Sequence, residues 1–296
     1  MRALRSTCFG ILGWCLLAAF FIPIINLIET LCKNSKGALN LNLITQMTPP
    51  PGVAGGLLNA LLGSFEMVGF ALLVAIPVGV LLGNILVLHK QRRWIVPIQL
   101  INDTLLSLPS ILYGLFVYLL IVVPMGQFSA LAGGIALSLL AIPMVARGSE
   151  DLLLTLPPAL KEAAFALGAP ESSVVKLLIL SICRGLIGII MLSFARLFGE
   201  TAPLLFTSLS SPYLNKNFLE PTASLPVTLY NFAMSPDASW QALANAGALL
   251  MLGIVLVASI SARYFLTKPN FDKYSIKTAH NRTYQHFGYF KILLSI

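Results

Sequence analysis

The sequence predicts an all-α integral membrane protein of six transmembrane helices, and three observations predict it. Apolar residues make up 57% of the 296-residue chain and charged residues only 10%, against about 25% charged in a soluble domain. Six apolar stretches are long enough to cross a hydrocarbon layer of about 30 Å, which takes roughly 20 residues. The basic residues gather in short loops on one side of those stretches, the pattern that orients membrane helices.

The stretches cover 8–31, 57–88, 95–123, 128–145, 182–206 and 242–266. Arg2 and Arg5 precede the first, as in a secretory signal. That stretch is too long for a signal's apolar region and no small-residue cleavage site follows it, so a retained span is expected. The second exceeds what a bilayer needs and should tilt, bend at Pro77 or lie partly at the surface. Its Gly79 and Gly83 form a GxxxG pair, a general device for close helix approach.

With the first residues inside, Arg2, Arg5, Lys90, Arg92, Arg93, Arg147, Lys161, Lys176 and the basic residues from Arg263 to Lys291 fall on the inner side. Only Lys33, Lys36 and Lys216 fall outside. Both termini are therefore expected in the cytoplasm. The net charge of +8 is spread over loops rather than gathered in a patch, which excludes nucleic acid as a partner. Cys8, Cys15, Cys32 and Cys183 are scattered, and His89, His280 and His286 supply no cluster, so neither metal nor cofactor is expected. The triplet Asn281–Thr283 fits a glycosylation signal, but in an inner tail it is chance. The organisation expected is a first helix with its outer loop (1–52), a five-helix core (53–266) and a basic tail (267–296), solvated or resting on anionic membrane lipid.

Inside the core, the longest inner connection spans 147–178. Pro157 and Pro158 can open a helix, "ALKEAAFAL" continues it, and Gly168 can end it in a left-handed cap. Pro170 then starts a second short helix. Further on, "ARLFGETAPLLF" places Arg196 and Glu200 four residues apart inside the fifth stretch, Arg196 about 20 Å along it from Ile182. Charges at such depth cost about 2.5–3.5 kcal/mol or more, and usually face a bundle interior or an aqueous path.

"EAAFALGAP" matches the EAA signature of ABC-transporter permease subunits. "LSLPSILYGLF", the glycine-rich approach "PPPGVAGGLLNALLGSFEMV" and "ARLFGETAPLLF" together resemble the phosphate branch of that family, of the PstA type, over roughly residues 49–206. The resemblance implies a MetI-like permease core whose inner loop is a coupling helix, with Glu162, Ala163, Ala164 and Gly168 meeting an ATPase subunit. It also implies a PstC-like sister permease, two ATPase subunits, an external phosphate-binding protein and inorganic phosphate as cargo. The family usually continues to a Leu-Pro where this chain has Leu180–Ser181, which implies a less sharp hinge.

Within that frame Arg196 and Glu200, with Gly199 and Thr201, are expected to line the substrate path facing the sister permease. Arginine's planar fork suits a tetrahedral oxyanion and cannot be neutralised by deprotonation. Glu200 would orient Arg196 and compete with the anion, and Gly199 would thin the helix beside the path. No GxxxxGK[ST] loop is present, so ATP must be hydrolysed elsewhere. A membrane enzyme is disfavoured because Glu66, Asp103 and Glu200 sit on different segments with no intramembrane histidine. The alternative cargo is another tetrahedral oxyanion: phosphonate, molybdate or sulfate.

Overall fold

The computed structural model describes residues 2–35, 37–214 and 217–267; the tail from Lys268, the Asn281–Thr283 triplet, Lys36 and Lys216 lie outside the described residues. In chain order the helices are α1 (Arg2–Asn34), one-turn α2 (Asn42–Thr45), α3 (Leu58–Leu88), α4 (Ile95–Ser107) and α5 (Ser110–Val117). A π-helical turn, Tyr118–Val122, leads into α6 (Val123–Met125) and then α7 (Ala130–Leu154). There follow α8 (Pro158–Ala166), α9 (Glu171–Phe198), α10 (Ala202–Leu205), α11 (Leu225–Ala233) and α12 (Ala238–Thr267). Among the described residues no other regular element occurs. Five helices (α1 from Gly13, α3, α7, α9 and α12) are long and apolar enough to cross a membrane, and a sixth crossing is available if α4 and the helix after it form one broken span.

That third crossing departs from the straight helix expected over 95–123. The chain turns by 101° between Ile95–Ser107 and Ser110–Met125. Pro109 lacks an N–H and its ring forces Leu108 out of the helical region, to ψ 138°. The Tyr113 hydroxyl donates to the Leu105 carbonyl at 2.6 Å and holds the corner.

Neighbouring glycines give the helix directions. Gly133 of α7 faces Met67 of α3, while further along Gly83 of α3 faces Ala146 and Ser149 of α7. The two helices thus run parallel, and the bent pair between them must make the return crossing. Gly148 against Ile189 and Gly185 against Leu152 set α9 antiparallel to α7. Gly188 against Ala262 and Leu266, with Gly199 against Met251, sets α12 antiparallel to α9. One face of the bundle therefore holds loops 35–57 and 206–237, and the other holds 89–94 and 155–170.

Lipid is as apolar as leucine, so helices in it associate through close packing of small residues. The α3–α7 seam is built this way, with Gly79 of α3 against Ile142 and Val145 of α7 and Gly83 against Ala146 and Ser149. A Cβ on Gly79 would lie 2.9 Å from the Ile142 carbonyl oxygen, so the GxxxG pair is required for this contact. Pro77 is accommodated within the continuous α3. At the Leu58 end of α3, Asn59 accepts from Thr48 and donates to the Ser211 carbonyl, while Ser64 accepts from the Leu225 amide. These two buried polar side chains tie two connecting segments to one helix end.

Two further boundaries differ from expectation. Helix α7 continues to Leu154, so Arg147 stands in a helix rather than in the loop. Helix α9 runs unbroken from Glu171, absorbing both the second short helix and the span expected over 182–206, and stops early at Phe198. At Ser181 no hinge forms; the hydroxyl bonds back to the Leu177 carbonyl at 2.8 Å inside a regular helix.

Candidate functional site

The connection between α7 and α9 folds as its local chemistry dictates. Pro158 occupies the first turn of α8, where a missing N–H costs nothing. At the other end Gly168 adopts φ +78°, donating to the Phe165 carbonyl while Ala169 donates to that of Ala164. Paired bonds of this kind around a left-handed residue make a Schellman cap. Glu162, Ala163, Phe165, Leu167 and Gly168 are exposed, whereas Ala164 turns inward and joins the core. Lys161 Nζ on the Leu88 carbonyl (3.2 Å) moors α8 to its own bundle, and His89 Nε2 against Glu171 Oε1 (3.3 Å) ties the start of α9 to the end of α3.

Beyond α8, the first thirteen residues of α9 run on past the ends of α7 and α12, with Val174 and Leu178 buried and Glu171 beside His89 at the end of α3. Gly185 is level with Leu152 near the end of α7, and Gly188 with Leu266 near the end of α12. The segment before Arg184 therefore extends about 20 Å beyond that level.

At its far end α9 stops inside the bundle rather than at its surface. Phe198 packs on Phe65, ring centroids 5.1 Å apart, only seven residues into α3. Gly199 faces Met251, thirteen residues and about 20 Å down α12 from Ala238. The chain then continues as non-helical backbone at depth, with Thr207, Ser208, Thr222 and Ser224 buried behind it. Irregular backbone at such a level is tolerated where it is enclosed in protein or lines a cavity.

Arg196 occupies the last turn of α9, where its charge opposes the partial negative charge of the helix end. Its Nε lies 3.9 Å from Glu200 Oε1, at the outer limit of an ion pair; the side chains are 54% and 17% exposed. Arg196 is on the same helix face as Ile189, which packs on α7 two turns earlier. Arg196 itself is uncovered. Thr201 is half-buried and precedes α10. A Cβ on Gly199 would meet the Arg196 carbonyl oxygen and Met251 at an ordinary 3.6 Å, so no protein neighbour crowds the position, and Gly199 ends the helix.

From the sequence alone Arg147 is only a topology charge. The structure gives it three carboxylates: Glu150 at 3.3 Å, Asp151 at 3.4 Å and Asp103 of α4 at 3.9 Å. The "ARGSED" spacing of three and four residues was the available signal for the first two. Among the described residues no group of three His, Cys, Asp or Glu side chains is arranged to hold a metal ion.

A bundle of apolar helices, a moored surface helix and a span that ends at depth beside an arginine define a membrane transport subunit. Residues 75–269 match the family described as binding-protein-dependent transport system inner membrane component, and the chain belongs to that family. Within it the chain is similar to the phosphate transport system permease protein PstA of Yersinia pestis, at 44% identity over 82% of this chain and 83% of that protein. PstA of Haemophilus influenzae is 45% identical over 80% of this chain and 84% of that protein. A probable PstA of Methanocaldococcus jannaschii is 34% identical over 72% and 76% respectively. Among solved structures, an inward-facing MetNI methionine ABC transporter chain superposes with a TM-score of 0.54 at 20% identity, covering 70% of this chain and 93% of that one. That likeness establishes the fold.

Proposed function

We propose that the chain is the permease subunit of an ATP-driven phosphate importer, supplying half of the membrane path and coupling it to an ATPase subunit. The observation that carries this reading is the 44% identity, over most of both chains, to a protein named as a phosphate transport permease. The geometry supplies a matching device. Arg196 stands uncovered in the last turn of α9, where that span stops short, and an anion there meets a planar cation that cannot deprotonate. Glu200 beside it opposes the anion, so the site binds without trapping. The open face carrying Arg196 is where a PstC-like sister permease docks, closing the path between the two subunits.

On the opposite side, Glu162, Ala163 and Gly168, with the exposed Phe165 and Leu167, form the surface offered to the ATPase; Ala164 fixes the helix from within. Two ATPase subunits and an external phosphate-binding protein complete the assembly, and hydrolysis takes place in the former. Lys90, Arg92, Arg93, Lys161 and Lys176 lie on the α8 side of the bundle, which makes that side cytoplasmic. The test is phosphate uptake in a strain lacking this chain, with and without complementation. Uptake that is unchanged by the loss, or unrestored by the gene, refutes the reading; restoration of molybdate, sulfate or phosphonate uptake alone reassigns the cargo.

A further inference from the structure

An apolar groove of about 750 Å³ runs down the outside of the bundle between α9 and α12. Phe65, Met191, Phe194, Leu250, Gly253 and Val257 are among its walls, and the hydroxyl of Ser261, its polar lining atom, is already bonded to the Val257 carbonyl at 2.7 Å. Along α12 it extends from Leu249 to Ser261, about 18 Å. That is close to one leaflet of a hydrocarbon layer about 30 Å thick. Among the described residues none from α1 lines it, although α1 packs on α12.

The groove has a charged end. On α9 the stripe Phe194, Met191, Ile187, Arg184 follows one helix face, each partly or fully uncovered. Arg184 lies seven residues, about 10 Å, beyond Met191. It is level with Leu152 and Leu266, where the apolar parts of α7 and α12 end on the α8 side. Arg184 forms no ion pair or hydrogen bond among the described residues. A guanidinium at the edge of the hydrocarbon with no partner among the described residues, below an apolar channel one leaflet long, matches the two ends of one kind of molecule.

We propose that this groove is a binding site for an anionic phospholipid of the α8-side leaflet, an acyl chain lying between α9 and α12 and the headgroup phosphate on Arg184. Charge complementarity selects the headgroup and groove length selects the chain. A bound lipid would weld α9, which carries Arg196 at one end and meets α8 at the other, to α12. The site is independent of the transported ion.

The experiment is native mass spectrometry of the assembled transporter with phosphatidylglycerol or phosphatidylcholine of identical acyl chains. One basic residue near a lipid surface favours the anionic lipid by about 1 kcal/mol, so wild type should retain it about fivefold better. Arg184→Gln should retain both lipids equally. Gly253→Leu adds a side chain where a Cβ meets nothing within 4 Å, so it should fold normally, checked by an unchanged melting temperature, yet retain neither lipid. Added inorganic phosphate should leave the preference intact. Equal retention by wild type, a preference surviving in Arg184→Gln, undiminished binding by Gly253→Leu, or loss of the preference on adding phosphate would each overturn the proposal.

Discussion

Lys161 of α8 donates its Nζ to the carbonyl of Leu88, the last residue of α3, at 3.2 Å. The last carbonyls of a helix have no partner within it and carry partial negative charge, so a lysine there is doubly suited. The contact makes α8 ride on the end of α3. Displacement of the surface helix is then passed to α3 and, through Gly79 and Gly83, to α7. Lys161→Met should leave the membrane level unchanged but lower ATPase activity and uptake together, measured in proteoliposomes. Unaltered coupling would mean that the mooring is incidental.

Gly168 offers a cleaner probe of the same surface. Its φ is +78° and a Cβ would meet nothing within 4 Å, so backbone strain is the whole cost of a side chain. A left-handed residue with a Cβ costs roughly 1–2 kcal/mol, and asparagine tolerates that region better than a β-branched residue. Gly168→Val should therefore reduce uptake and co-purification of the ATPase, with Gly168→Asn intermediate. Equal behaviour of the two variants would show that the turn's geometry does not matter.

Arg196→Gln keeps the length and much of the hydrogen bonding but removes the charge. Assembly with the sister permease and ATPase should persist, because the side chain is half exposed, while phosphate uptake should be lost. Gly199→Ala, whose Cβ would meet no protein atom closer than 3.6 Å, should transport normally. Normal transport by Arg196→Gln would return the Arg196–Glu200 pair to a structural role.

At the α3–α7 seam, Gly83→Val should be severely destabilising, since its Cβ would sit 2.8 Å from the Ala146 carbonyl oxygen and backbone cannot easily move. Overpacking of this kind costs about 1–3 kcal/mol or more. Gly69→Ala, on the open face of the same helix, is the control and should be silent. Fluorescence-detected size-exclusion profiles separate the two; a monodisperse Gly83→Val protein would contradict the packing.

Asp237 caps α12, accepting from the Ser239 hydroxyl and from the amides of Ser239 (2.8 Å) and Trp240 (3.2 Å). The Ser239 hydroxyl first, then the Trp240 and Ser239 amides, hold its carboxyl below the usual value. A depressed carboxylate stabilises the fold above its unfolded pKa, and the contribution fades as pH falls through the lower folded value. The melting-temperature gap between wild type and Asp237→Ala should thus be constant at neutral pH and shrink below about pH 4. A gap independent of pH would mean that the cap does not depend on the charge.

What the sequence reveals here is mostly local. Pro158 and Gly168 mark the ends of α8 because backbone chemistry at those residues admits few alternatives. Gly79 and Gly83 announce a close approach, though not its partner. The break at Pro109 is hidden by unbroken hydrophobicity from Ile95 to Val123, which says how apolar a segment is and nothing about its direction. Likewise, "ARLFGETAPLLF" reads as one continuous apolar run, and only the packing of Phe198 on Phe65 shows that the helix stops at depth. Ala164 turns inward because α8 lies on its own bundle, a register that a nine-residue helix cannot announce alone. The carboxylates around Arg147 include Asp103, brought from α4 by the bend that the sequence concealed.

The bend has a consequence for biogenesis. Neither arm of Ile95–Ser107 and Ser110–Met125 is long enough to cross a bilayer alone, and their angle of 101° prevents them from acting as one straight insert. Gly114 in the second arm packs on Pro203, which the ribosome delivers almost ninety residues later. The insertion machinery therefore meets a segment that it cannot release into lipid as a finished hairpin. That crossing has to be held, or shielded by a chaperone, until α7 through α10 have emerged. Nascent chains arrested soon after Met125 should remain extractable and protease-sensitive in this region, and become protected only once the partner helices are made.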